Sequence, residues 1–128
     1  MGLDNGFIAY NLPKEDIPPL VKPFYINEDF NYSELAYFRK CYNIRDRIIK
    51  VLHISTNEHE RELDLEDLPA IIRVLCHFCD SANWDEDESI WTFDEIKDNI
   101  IKSLINLSWL YYYMEEHPEV KCKFYDSY

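Results

Sequence analysis

The stretch Thr92-Phe93-Asp94-Glu95-Ile96-Lys97-Asp98-Asn99-Ile100-Ile101-Lys102-Ser103-Leu104-Ile105-Asn106-Leu107-Ser108-Trp109-Leu110-Tyr111-Tyr112-Tyr113-Met114-Glu115-Glu116-His117-Pro118 decides what kind of domain this is. Its first four residues form a capping box, in which a Thr hydroxyl and a Glu carboxylate satisfy two otherwise unpaired backbone N–H groups. Trp91 and Ile96 have the spacing of a hydrophobic staple. Ile96, Ile100, Leu104, Leu107, Tyr111 and Met114 then recur at helical spacing, widened by Ile101, Ile105 and Leu110. His117-Pro118 stops the pattern, because the residue before proline is pushed out of the helical region. A helix this long and apolar belongs at the centre of a core.

Beyond it, Val120-Lys121-Cys122-Lys123-Phe124-Tyr125 alternates apolar and polar residues, which predicts a half-buried strand with Cys122 facing in. One strand cannot stand alone, and the β-prone residues 6–10 near the amino terminus are its natural antiparallel partner. Upstream of the central helix, Trp84-Asp85-Glu86-Asp87-Glu88-Ser89-Ile90-Trp91 sets four consecutive acids between tryptophans. Oxygen ligands at 85, 87 and 89 resemble a calcium loop, but Ile90 stands where that loop needs Gly and Ile96 where it needs Glu. The stretch therefore reads as a solvated acidic loop with aromatic anchors, a composition common at binding hot spots.

A second helix is capped by Asp64 or Asp67 and ends by Ser81-Ala82-Asn83, with apolar residues at 68, 71, 72, 75, 76 and 79 and Pro69 in its first turn. That spacing turns Cys76 and Cys79 inward, one turn apart. A first helix is expected from Asn31 or Ser33 to about His53, with Leu35, Phe38, Cys41, Tyr42, Ile48, Ile49 and Leu52 as its inward stripe. Residues 55–67 between these helices read as a polar acidic loop. Four prolines in residues 12–23 exclude helix interior and central strand, leaving an extended connector. The fold class that follows is α+β, a single domain over residues 1–128. It has a three-helix core with a small antiparallel sheet formed by the N- and C-terminal strands.

Cys41, Cys76, Cys79 and Cys122 are the chain's only cysteines, and all four fall on expected inward faces. Four thiolates from three elements could close a structural Zn²⁺ site, with His77 or His53 substituting for a thiol out of reach. Free cysteine also behaves as a small hydrophobe, so the same pattern fits plain core thiols. Disulfide or redox use of Cys76-x-x-Cys79 is a third reading, and all three stay open.

The net charge of −12 is uneven. Residues 1–57 hold seven acids and seven bases, whereas residues 58–119 hold seventeen acids against four bases. Such a surface repels nucleic acid and suits a partner with a basic face. The expected partner-binding residues are Glu58, Glu60, Glu62, Asp64, Trp84, Asp85, Glu86, Asp87, Glu88 and Trp91. Catalysis is not expected. The chain has no nucleophile elbow, Walker loop or metalloprotease helix motif, and its two glycines, both within the first six residues, cannot build a phosphate cradle. No apolar run reaches the ~20 residues of a membrane span, and no basic segment opens a secretory signal. The expected setting is the cytoplasm of a bacterial host cell.

Met1-Gly2-Leu3-Asp4, Glu34-Leu35-Ala36-Tyr37-Phe38-Arg39-Lys40 and the ending Phe124-Tyr125-Asp126-Ser127-Tyr128 together resemble a set of small phage and prophage proteins. Size, acidity and the four cysteines are also similar to small type II anti-CRISPR proteins, one of them a metalloprotein. That resemblance implies a phage-encoded inhibitor that binds a type II RNA-guided CRISPR nuclease through an acidic surface and blocks its DNA loading or cleavage. A zinc-stabilised adaptor with another protein partner, or a small enzyme acting on a nucleotide signal, are the alternatives.

Overall fold

A computed structural model describes residues 4–55 and 58–127, with the side chain of Glu88 outside the described set. The Met1-Gly2-Leu3 opening and Tyr128 of the resemblance therefore lie outside the described residues. In chain order the elements are β1 (Asp4–Tyr10), β2 (Tyr25–Asn27), β3 (Tyr32–Arg39), α1 (Tyr42–Leu52), β4 (Glu60–Leu63), α2 (Asp67–Phe78), α3 (Phe93–Glu116) and β5 (Lys121–Ser127). Short 3₁₀ turns cover Lys14–Asp16, Ser81–Asn83 and Glu86–Glu88.

The strands form one antiparallel sheet in the order β2-β3-β1-β5-β4. This corrects the expectation of a small sheet built from the chain termini alone. The terminal strands do pair, with Phe7 opposite Phe124 and Ala9 opposite Cys122, but they are the middle of a five-stranded sheet rather than all of it. Residues 32–39, expected as the start of a helix, are β3, and α1 begins only at Tyr42. The reason is a β-bulge. Phe7 faces Ala36 while Ile8 faces Glu34, so Leu35 is an extra residue that interrupts the alternation of β3. Ser33, Leu35, Ala36 and Phe38 are all buried, and the resulting Leu35–Phe38–Cys41 spacing imitates a helical stripe. Residues 60–63, read as acidic loop, form the edge strand β4; charge on an edge strand guards it against further pairing.

The core lies between one face of the sheet and the helices. Phe7, Ala9, Leu35, Phe38, Cys122 and Phe124 from the sheet join Ile44 and Ile48 of α1, Leu68, Ile71 and Leu75 of α2, and Ile100, Leu107 and Leu110 of α3. Helix α3 starts where the capping box places it: Thr92 is the N-cap and its hydroxyl accepts from the Glu95 N–H. Two buried polar residues on α3 were not part of the expected stripe, Ser103 and Asn106. Asn106 clamps the chain from two sides. Its amide accepts from the Lys22 N–H and donates to the carbonyls of Lys22 and Leu35, at 2.9–3.0 Å. It thereby satisfies the carbonyl of the bulge residue and fastens the proline-rich connector to the core.

No helix among the described residues is long and apolar enough to cross a membrane.

Candidate functional site

The structure does not bring the four cysteines together. Cys41 and Cys122 are fully buried, whereas Cys76 and Cys79 are exposed at the end of α2, whose buried face is Leu68, Ile71, Val74, Leu75 and Phe78. Cys41 lies just beyond Arg39, which faces Asp4, while Cys122 faces Ala9 at the other end of β1. Five strand positions at about 3.3 Å each separate them by roughly 17 Å. Thiolates sharing one tetrahedral ion with bonds of about 2.3 Å sit within about 4 Å of each other, and the four cysteines are not gathered in that way in this structure. Burial also pushes both the Cys41 and Cys122 thiols up to about 12, which holds them neutral as core groups. Among the described residues, no group of three or more His, Cys, Asp or Glu side chains is arranged to hold a metal ion.

Of the tryptophans expected as contact anchors, one is turned into the core and the other lies half-buried. Trp84 is only 7% exposed; its indole donates to the Trp91 carbonyl, and its ring packs edge-on against Phe78. Trp91 is half-buried and donates to the Arg39 carbonyl at 2.7 Å. The two bonds pin the acidic loop against the end of β3.

The acids themselves divide. Asn43, in the first turn of α1, donates to the Asp85 carbonyl and accepts from the Ser89 hydroxyl. Arg45, two residues on, pairs with Asp126 of β5 at 2.8 Å and with Asp46. Asp126 in turn donates its N–H to the His59 carbonyl. The start of α1 thus ties the loop carrying Asp85, Glu86 and Asp87 to the strand end next to Glu58 and Glu60; Asp46 lines one hollow with Asp87 and another with Asp85, the latter also lined by Arg47 and Lys50. Glu62 and Asp64 run away toward the far end of β4, where Leu63 faces Cys122. Glu58 is partly neutralised by an ion pair with Arg61. The side chain of Glu88 lies outside the described residues. A shallow cavity of about 410 Å³ opens at this acidic end, lined by Tyr42, Asp46, Asp87, Ser89 and Ile90. Tyr42 at 43% and Ile90 at 59% exposure are its apolar surface.

A second feature was missed in the sequence. The sheet face turned away from the core carries Tyr10, Tyr25, Tyr32, Tyr37 and Tyr125. In register, Tyr10 faces Tyr32, Ile8 faces Glu34, and Gly6 faces both Tyr37 and Tyr125. Gly6 is required there: a Cβ would come within 2.3 Å of the Ala36 carbonyl and 3.1 Å of the Tyr125 ring. With no side chain on β1 in the way, Tyr125 reaches across from β5 and donates to Glu34 Oε2 on β3 at 2.7 Å. Burial pushes the Glu34 carboxyl above its ordinary range; the hydrogen bond from Tyr125 opposes this, and the Asp4 charge adds a smaller push upward. Tyr125 is itself raised, by burial first and then by its bond to Glu34. A hollow of about 530 Å³ lies over this pair, bounded also by Tyr10, Tyr32, Glu60 of β4 and the preceding His59. The signal in the sequence was the alternation Ile8-Ala9-Tyr10 and Tyr32-Ser33-Glu34, hidden once β3 was read as helix.

Set against protein-family models, curated proteins and solved structures, the chain matches none of them.

Proposed function

We propose that the protein is a non-catalytic binding protein whose acidic end docks the basic surface of a protein partner. The observation that carries this reading is that Asp46 of α1 and Asp87 of the acidic loop line one hollow with the exposed Tyr42 and Ile90, with Asp85 and Glu86 beside Asp87 in the same loop. This arrangement is held by Asn43 and Arg45 of a single helical turn. Acids of one sign steer a basic partner, and exposed apolar groups at the centre supply contact area once water is excluded. The narrower proposal for the partner is a type II RNA-guided CRISPR nuclease, whose DNA loading or cleavage the bound protein would block. It is supported by the resemblance in general character and by the positively charged channel in which such nucleases hold their heteroduplex.

The test is a DNA-cleavage and co-purification assay with a purified type II nuclease and its guide RNA. The wild-type protein is compared with the combined Asp85→Ser, Glu86→Ser and Asp87→Ser variant. Inhibition by the wild type that weakens about tenfold in the variant, and that falls with added salt in the wild type more than in the variant, is the expected result. Full cleavage with no co-purification removes the nuclease as partner. Equal inhibition by both proteins removes the acidic end as the docking surface.

A further inference from the structure

We propose that the hollow on the open tyrosine face is a receptor for one cationic side chain, a lysine or arginine, presented by the protein partner. The inference rests on the reading above that the partner is basic, and it assigns a pocket and a chemistry to that recognition. Glu34 is half-buried, one of its oxygens is held by Tyr125, and its Oε1 has no hydrogen-bond partner among the described residues. Glu60 stands on the rim, and no lysine or arginine is among the described residues that line the hollow. The lining therefore offers negative charge, and the nearest cation is Lys123, which stands over the ring of Tyr10.

The aromatic walls suit the same ligand. Tyr10 and Tyr32 have ring centroids 5.7 Å apart, and Tyr32 continues to Tyr25 at 6.0 Å, so successive rings pave the floor across three strands. Ring faces attract ammonium and guanidinium groups, most strongly where water is partly excluded. This sheet face already holds one cation in that way: Lys123 Nζ stands 5.4 Å from the centroid of Tyr10. An anionic ligand would be opposed by the second Glu34 oxygen, and a neutral donor could pair with it but would leave its charge uncompensated. The hollow is linked to the acidic end through Asp126, which lines it and pairs with Arg45 of α1, so a basic partner docked there would have side chains within reach of it.

The experiment uses the full chain and a defined probe, a blocked tetra-arginine peptide, with a blocked tetra-glutamine peptide as control. Binding is followed by tyrosine-ring and backbone chemical shifts. The expected result is that shifts concentrate on Tyr10, Tyr32, Glu34 and Tyr125. The Glu34→Gln and Tyr32→Leu variants should each bind about tenfold more weakly, with unchanged shift dispersion showing that they remain folded. The combined Asp85→Ser, Glu86→Ser and Asp87→Ser variant should bind the peptide within about twofold of wild type, which separates this pocket from the acidic end. Loss of peptide binding in that combined variant with retention in Glu34→Gln would overturn the inference while leaving the acidic-end reading standing. Equal binding of the glutamine peptide, or no binding of the arginine peptide, would overturn it as well.

Discussion

Glu34 sits where a carboxylate is uncomfortable. It lies half-buried among tyrosine rings, with the Tyr125 hydroxyl as its hydrogen-bond donor and the Asp4 charge nearby. Its proton is therefore held more tightly in the folded chain than in the unfolded one, where the ordinary value is 4.5. For an acid raised in this way, stability is greatest below the unfolded value and falls as pH rises through the window up to the folded value. Glu34→Gln keeps an oxygen for Tyr125 and removes the charge. The variant is expected to be more stable than wild type near pH 7, by a few tenths to about 1 kcal/mol after allowance for solvent screening. The difference should close near pH 4 and below. Thermal melts of both proteins across this range check it; a gap that persists or widens in acid would show that the charge is not the cause.

At the scale of elements, the bulge in β3 and the amide of Asn106 belong together. Leu35 is the bulge residue, and α3 supplies a donor to its carbonyl at 2.9 Å. Ser103, one turn earlier on the same helix, is equally buried, but its hydroxyl has no partner among the described residues. The two positions should behave oppositely. Asn106→Leu strands a buried carbonyl and releases the connector at Lys22, for an expected loss of about 1–3 kcal/mol. Ser103→Ala removes an unsatisfied group and is expected to be neutral or stabilising by up to about 1 kcal/mol. Urea denaturation of the two variants reads this directly, and an equal loss in both would place the effect in packing volume rather than in hydrogen bonding.

For the whole molecule, the last strand is a centre rather than a tail. β5 pairs with β1 over its full length and with β4 along residues 122–125, and it delivers Asp126 to Arg45 of α1 and Phe124 to the ring of Phe7. Removing residues 121–128 would expose β1 on one side and leave β4 with no strand to pair with. The truncated chain is therefore expected to lose cooperative unfolding altogether, whereas trimming a peripheral strand would lower its midpoint and leave one transition. A single sharp thermal transition in the truncated protein would show that the terminal pairing is dispensable.

Some of this architecture needed only the sequence. The start and end of α3 follow from Thr92, Glu95 and Pro118, because caps and proline act through atoms a few residues apart. The pairing of the terminal strands follows from the alternation at Val120–Tyr125 and the lack of any other continuous partner near it. The absence of long helix and of strand from residues 12–23 follows from the fixed φ and missing N–H of its prolines, although Lys14–Asp16 winds into a 3₁₀ turn where an extended run is expected. The rest required distant groups. Leu35 imitates a helical stripe unless β1 is beside it to reveal the bulge, and the charged residues of β4 look like loop unless β5 offers its edge. Cys76 and Cys79 have the spacing of inward residues, yet α2 turns Leu68, Ile71, Val74, Leu75 and Phe78 to the core and leaves both thiols outside. Helical periodicity fixes which residues share a face, while the rotation of that face toward neighbours is settled by packing. The same holds for the tyrosine hollow, whose parts come from β1, β3, β4 and β5 and meet only because Gly6 leaves room for Tyr125 to cross.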